Sequence, residues 1–414
     1  MAQKLTHEVV IVGGGTAGIA TAASMLKRRP SLDIAIIEPS EAHSYQPGWT
    51  MVGGGVFDAA VTRRPMASVM PRRAHWIRQA AVSFQPESNQ VTLTDGTTVT
   101  YKLLIVAPGI RLAWEKIAGL EDTLGHNGVT SNYRFDLAPY TWELVQNLRS
   151  GRAIFSQPPM PIKCAGAPQK AMYLSCDAWL ERGVLDKIDV EFRNAGGVLF
   201  GVKAYVPALM EYVEKYGIAL KLEQNLIAVD GPGKTATFKT PAGEEAVEFD
   251  MLHVVPPQVA PQFVADSPLA HPESGFIDID KFTLRHVRYP NVFAVGDAGS
   301  TPNAKTAAAA RKQAPIVAVN ALAVLDGNEP VFDYDGYGSC PLTVERGKIV
   351  LAEFGYEGKL LPSFPKWLID GTRPRKLSWL LKSEILPWVY WNGMLKGHEW
   401  LVKPETRPQP GIAP

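Results

Sequence analysis

A short β-branched run, Val9-Val10-Ile11-Val12, is followed at once by Gly13-Gly14-Gly15-Thr16-Ala17-Gly18. A helical pattern continues from Ala20 to Lys27, and Ile34-Ala35-Ile36-Ile37 reads as a second strand ending at Glu38. Strand, G-x-G-x-x-G turn, helix and strand constrain this chain more than any other feature. Gly13 permits the tight turn, Gly15 lets the backbone approach a pyrophosphate, and Gly18 lets helix and strand pack closely. The helix N-terminus faces the anion. Glu38 stands 20 residues past Gly18, the spacing of a ribose 2′-hydroxyl acceptor. The predicted fold is α/β and begins with a Rossmann-like dinucleotide-binding domain.

Two later segments bear on which dinucleotide. Leu103 to Val106 is an apolar strand broken at Ala107-Pro108-Gly109, and Val292 to Val295 runs into Gly296-Asp297-Ala298. The pair resembles the distal flavin signatures of the two-dinucleotide-binding-domain flavoproteins, although Pro108 replaces the usual Thr. The resemblance implies FAD, with Ala107, Gly109, Gly296 and Asp297 at the flavin and its linker. A helix-like run starts near Ala304. In such folds its N-terminus, here with Lys305, would stabilise negative charge on the reduced flavin.

Those flavoproteins carry a second glycine fingerprint in mid-chain. Here the matching strand, Arg152 to Ser156, is followed by a proline-rich stretch containing Lys163-Cys164-Ala165-Gly166-Ala167-Pro168. The next strand, Asp189 to Phe192, ends in Arg193-Asn194, with no acid for a ribose. A nicotinamide reductant is therefore not expected. Pro168 suits the first turn of a helix running from Gln169 to Arg182. Cys164 would precede that helix, beside Lys163, and both features favour a thiolate. Cys176 falls on the apolar helix face and reads as an inert buried thiol. Cys340, in Gly338-Ser339-Cys340-Pro341, is 176 residues from Cys164. Cysteine arithmetic alone leaves their pairing open.

Length and charge restrict the remaining classes. The 414 residues carry a net charge of +1, so no nucleic-acid partner is expected. At roughly 150 residues per domain, two or three domains are expected. The N-terminus reads as strand rather than secretion signal, and no apolar run is long enough to span a bilayer. Histidines do not cluster at metal-ligand spacing, so no metal is expected. Between Lys359 and Lys403, eight basic residues face three acids, and five of the ten tryptophans lie there. Leu377 to Leu386 mixes apolar and basic positions. Pro387 should break it before a second aromatic run, Trp388 to Leu395. Trp379, Trp388 and Trp391, with the flanking cations, suit attachment to one leaflet. The Pro-rich tail, Pro404 to Pro414, is expected to be mobile.

Two cysteine motifs carry a closer resemblance. Ile162-Lys163-Cys164-Ala165-Gly166-Ala167-Pro168-Gln169-Lys170 and Tyr334-Asp335-Gly336-Tyr337-Gly338-Ser339-Cys340-Pro341-Leu342 are similar to the sulfide:quinone oxidoreductases, in the branch that includes the mitochondrial enzyme. Lys305-Thr306-Ala307-Ala308-Ala309 and the tail match as well. The resemblance implies a Cys164–Cys340 redox bridge, direct or through an extra sulfur. Hydrosulfide would attack it, leaving a persulfide on Cys340 and a thiolate on Cys164 facing the flavin. Sulfite, glutathione, coenzyme A, cyanide or a second sulfide would take the sulfane sulfur, and a membrane quinone the electrons. Some relatives attach FAD through an upstream cysteine. None precedes Cys164 here, which implies non-covalent FAD. Phe354, Tyr356 and Phe364 are candidate quinone-lining residues.

The expected organisation is an FAD-binding domain over 1–112 and 288–330, a second Rossmann-like domain over 113–287, and a redox-cysteine and quinone/membrane segment over 331–414. This is a flavoprotein disulfide reductase-like layout with a C-terminal membrane-associating segment. The chain would be a peripheral, monotopic membrane protein, on the cytoplasmic face of the inner membrane if bacterial, with a homodimer left open. Three alternatives remain. They are a flavocytochrome c-type sulfide dehydrogenase, a type II NADH dehydrogenase and a non-catalytic flavin persulfide carrier.

Overall fold

In a computed structural model that describes residues 3–406, two α/β units are joined by a C-terminal segment that packs on both. The expectation for the tail beyond residue 406 lies outside the described residues. The first unit is built on the strand Lys4–Val12, buried over Val9 to Val12. It pairs in parallel with Ile34–Ile37 on one side and Thr98–Val106 on the other. His75–Ile77 extends the sheet beyond Ile34–Ile37. Antiparallel Gln90–Leu93 and parallel Val292–Ala294 both pair with Thr98–Val106, at opposite halves of it. These central strands read as continuous Val/Ile/Leu runs because both faces are covered. The helix Thr16–Arg28 packs against the long helix Ala307–Leu325, which closes one face.

The second unit holds a parallel sheet in the order Val129–Thr130, Met251–His253, Gly151–Gln157, Ile188–Asn194, Ala219–Leu222. An antiparallel sheet over 225–248 lies beside it. The helix Ala167–Glu181 is buried along most of its length, with Met172, Tyr173, Cys176 and Trp179 in the core.

Two expected boundaries move. Val264, Leu269, Ile277, Ile279 and Leu284 belong to the first core, so that unit resumes well before residue 288. The reason is backbone pairing: the Ile277 N–H donates to Ala298 O at 2.9 Å and the Ala294 N–H to Leu284 O at 3.1 Å. The segment from 331 is likewise not a separate unit. Its hairpin, Gly338–Glu345 with Lys348–Phe354, places Cys340, Leu342, Val344, Val350 and Ala352 in the second core. Its end places Tyr390, Trp391, Met394 and Leu395 in the first.

Pro387 does not break this end of the chain. Helical turns run without interruption from Lys376 to Lys396. Over Leu381–Ile385 the hydrogen bonds widen to i→i+5, with the Leu386 N–H on Leu381 O. Pro387 follows directly on this widened turn.

Candidate redox and dinucleotide site

The glycine loop has the shape its sequence predicts. Gly13 has φ +104°, and a Cβ there would lie 2.3 Å from Ala107 O. A Cβ at Gly18 would lie 2.0 Å from Gly13 O. At Gly15 and Gly109 an added Cβ would meet no protein atom within 4 Å. Gly15 caps the helix Thr16–Arg28 with extended backbone and no side-chain cap, leaving the first-turn N–H groups to face an anion. Glu38 accepts from the Gly14 N–H at 2.8 Å and the Ser40 N–H at 2.7 Å, which fixes its carboxylate at the end of its strand. Gly296, at φ +72°, lets the Gly296-Asp297 turn close on Ala17, the Ala17 Cβ lying 2.8 Å from an added Cβ. This cradle fits a flavin dinucleotide.

Lys305 lies at this turn, but its ammonium is committed to backbone. It donates to Asp297 O at 2.9 Å and Gly299 O at 2.8 Å, and lies 4.2 Å from the Phe276 ring centroid. Burial lowers its pKa to about 8. Burial also raises the Asp297 carboxyl, and the Lys305 and Lys163 charges partly offset this. The helix behind the turn begins at Ala307, capped by Thr306, whose hydroxyl accepts from the Ala309 N–H at 3.1 Å.

Lys305 also ties the cysteine loop to this cradle. Its carbonyl accepts from the Cys164 N–H at 2.8 Å, and Lys163 and Lys305 form a parallel bridge. Cys164 is in the left-handed region, φ +52°, which is uncommon for a residue with a Cβ. Tyr133 holds the loop by donating to Lys163 O at 2.9 Å.

The fold brings Cys164 and Cys340 together, both as free thiols. The Cys340 thiol is hydrogen-bonded to the Cys164 sulfur, and this bond, with Lys170, pulls the Cys164 pKa well below its ordinary value. The same bond, together with burial, pushes Cys340 up. Gly166 permits the approach: a Cβ there would lie 2.3 Å from Leu342 Cδ2 and 3.7 Å from Cys340 Cβ. Burial in the second core raises the pKa of Cys176.

The expected charge partner is wrong, and the reason is local. Lys163 turns away from the sulfur and donates to Gln46 Oε1 at 2.7 Å. The positive charge comes from Lys170, whose buried Nζ donates to Cys164 Sγ at 3.1 Å, because the first turn of the helix folds it back over the loop. A second buried lysine, Lys382, reaches in from the C-terminal helical stretch and donates to Pro47 O at 2.9 Å. Burial, reinforced by the Lys170 charge, lowers its pKa to about 7, against the raising effect of both cysteines. Lys170 is visible in the sequence as a cation one turn into the cysteine helix. Nothing in the sequence marks Lys382.

Other expected residues disperse. Trp391 is 4% exposed and packs beside Tyr390, His43 and the Arg64 guanidinium, so it is not available to a bilayer. Tyr390 OH lies 2.6 Å from both His43 Nε2 and Thr16 Oγ1, which joins the tail to the glycine loop. Trp388 is exposed and stacks on Trp400, and Trp379 is half-buried. Phe354 packs on the second core against Phe200, and Tyr356 on the first against Tyr334, with its hydroxyl on Lys281 O. Phe364 is half-buried. Among the described residues, one trio of metal-ligating type converges, His7, Asp33 and His75, far apart in sequence. No helix among them is long and apolar enough to cross a membrane.

Comparison with known proteins places these features. Residues 7–154 match the family model described as pyridine nucleotide-disulphide oxidoreductase. The mitochondrial sulfide:quinone oxidoreductase of Dictyostelium discoideum is 41% identical over 97% of this chain and 88% of its own length. The mouse mitochondrial sulfide:quinone oxidoreductase is 38% identical over 95% and 88%. The crystal structure of a sulfide:quinone oxidoreductase from Aquifex aeolicus superposes with a TM-score of 0.77 at 20% identity, covering 95% of this chain and 92% of that one.

Proposed function

Because the chain belongs to the sulfide:quinone oxidoreductase family, we propose that it oxidises hydrosulfide at Cys164 and Cys340 and passes two electrons through non-covalent FAD to a membrane quinone. The observation that carries this reading is the Lys170 ammonium 3.1 Å from the Cys164 sulfur, which with Cys340 holds the Cys164 pKa low while that of Cys340 is raised. In thiol–disulfide exchange the sulfur of lower pKa is the better leaving group. Hydrosulfide therefore attacks Cys340 Sγ of the oxidised pair. The S–S bond breaks, its electron pair goes to Cys164 as thiolate, and Cys340 keeps the incoming sulfur as a persulfide. Lys170 and Lys382 stabilise the charge that appears on Cys164. A second nucleophile, such as sulfite, a thiol, cyanide or sulfide, removes the outer sulfur. The Cys340 and Cys164 sulfurs then rejoin as two electrons leave.

FAD, held by the glycine loop, Glu38 and the Gly296-Asp297 turn, would supply the two-electron acceptor for that step and the route to a quinone. The chain's own contribution is placement. Lys305 fixes both the Asp297–Gly299 turn and the backbone of Cys164, so the thiolate is held at the edge of the dinucleotide cradle. With Cys164 and Cys340 assigned to the redox step and Cys176 buried in the second core, the reading takes the cofactor as non-covalently held.

Membrane attachment rests on the exposed apolar residues of the C-terminal segment. Trp367 is 84%, Leu401 76% and Trp388 56% exposed, amid an excess of lysine and arginine. Aromatic side chains favour the bilayer interface and cations favour anionic head groups. The quinone would approach from this segment, with Phe354, Tyr356 and Phe364 as candidate lining residues.

The test is sulfide-dependent reduction of a soluble quinone by the FAD-loaded chain, with each acceptor supplied in turn. Turnover that depends on both sulfide and an acceptor supports the reading. Stoichiometric persulfide without quinone reduction would make the chain a sulfur carrier instead.

A further inference from the structure

We propose that His7, Asp33 and His75 form a binding site for a borderline divalent cation, Zn2+ being the best fit, on the edge of the first sheet. The three residues sit on neighbouring parallel strands. His7 lies in Lys4–Val12, Asp33 immediately precedes Ile34–Ile37, and His75 opens His75–Ile77. The registers Val9↔Ile34 and Ala35↔His75 bring them side by side. The Val9 N–H donates to Asp33 O at 3.0 Å, which fixes the aspartate's backbone to the central strand.

The ligand atoms already have the spacing of a coordination shell. His7 Nδ1 lies 2.9 Å and His75 Nε2 3.6 Å from Asp33 Oδ1, and all three atoms fall within 4.8 Å of one another. Tetrahedral zinc with ligands at about 2.0–2.2 Å separates them by roughly 3.3 Å, between those two distances. Two imidazoles and one carboxylate form a neutral-plus-anionic donor set that suits Zn2+ rather than Mg2+ or Ca2+. A fourth position remains for water, since His75 and Asp33 are open to solvent.

The site is remote from the redox chemistry. The strand Lys4–Val12 has His7 near its start and leads into Gly13 at its end, so the trio and the dinucleotide cradle occupy opposite edges of the sheet. A bound ion would clip three adjacent strands and raise stability by mass action.

The experiment uses untagged, FAD-loaded full chain carrying Cys164→Ser and Cys340→Ser, so that the redox thiols do not compete for metal. After chelator stripping it is titrated with Zn2+ by calorimetry, and Tm is measured with and without the ion. One saturable site and a Zn2+-dependent rise in Tm are expected. His75→Ala, at a residue whose side chain is 66% exposed and replaceable without loss of fold, should weaken binding at least tenfold and abolish the rise. Asp33→Asn should do the same. The absence of a saturable site, or an affinity unchanged by both substitutions, overturns the proposal. In that case the trio is a hydrogen-bonded surface cluster and nothing more.

Discussion

The ammonium of Lys170, itself buried, lies 3.1 Å from the sulfur of the half-buried Cys164. This contact, with the hydrogen bond from Cys340, gives the two sulfurs unequal roles. In the proposed mechanism Cys164 is the thiolate and leaving group, and Cys340 is the site of attack.

Replacing Lys170 by Met removes that charge while keeping most of the side-chain volume. Reduced enzyme should then be alkylated by iodoacetamide more slowly at neutral pH, because less Cys164 is thiolate. The kcat/KM for sulfide should fall by about a hundred- to a thousandfold, the usual loss for one preorganised donor. Lys170→Arg should restore much of the alkylation rate. An unchanged rate in Lys170→Met would assign the low pKa of Cys164 to Cys340 alone.

Acid should loosen the junction between the glycine loop and the C-terminal stretch. Burial lowers the His43 pKa to about 4, and that of His253 to about 3. Unfolded histidine titrates near 6.5, so between about pH 6.5 and 4 the unfolded chain binds more protons than the folded one. Stability is complete above about pH 6.5 and is lost as pH falls, by about 3 kcal/mol for His43 alone. Urea unfolding of the FAD-loaded chain at pH 7.5 and pH 5 measures this. His43→Gln, which keeps a donor for the Tyr390 hydroxyl, should shrink the difference, leaving the part due to His253. An equally steep loss in that variant would place the proton uptake elsewhere.

Attachment to lipid is best tested by point changes, because removing the chain after Leu361 would also strip Tyr390, Trp391, Met394 and Leu395 from the first core. The triple substitution Trp367→Ser, Trp388→Ser and Leu401→Ser alters only exposed positions. Its binding to vesicles containing anionic lipid should fall at least tenfold, with Tm and FAD content retained. Full retention of vesicle binding would locate the membrane face elsewhere.

The parts of this molecule set by local rules were legible in the residues. The glycine loop and Glu38 follow from backbone sterics and spacing, and the helix after Cys164 follows from Pro168 and its apolar face. The loss of a second glycine fingerprint is likewise a local fact. What the sequence concealed is long-range. Cys340 meets Cys164 because a hairpin packs on the cysteine helix, and Lys382 arrives from a segment that pattern alone reads as membrane-facing. Trp391 and Trp388 look equivalent in that pattern, yet the fold places one in the core and leaves the other in solvent. His7, Asp33 and His75 meet only through strand register, which no sequence spacing reveals.

Anaerobic titration with sulfide, following flavin absorbance, tests the central claim most directly. The FAD-loaded chain should bleach in proportion to added sulfide. Cys164→Ser and Cys340→Ser should each retain FAD and stay oxidised, because neither can form the bridge that hydrosulfide attacks. Normal bleaching in either variant would contradict the account, since electrons would then reach the flavin without the sulfur pair.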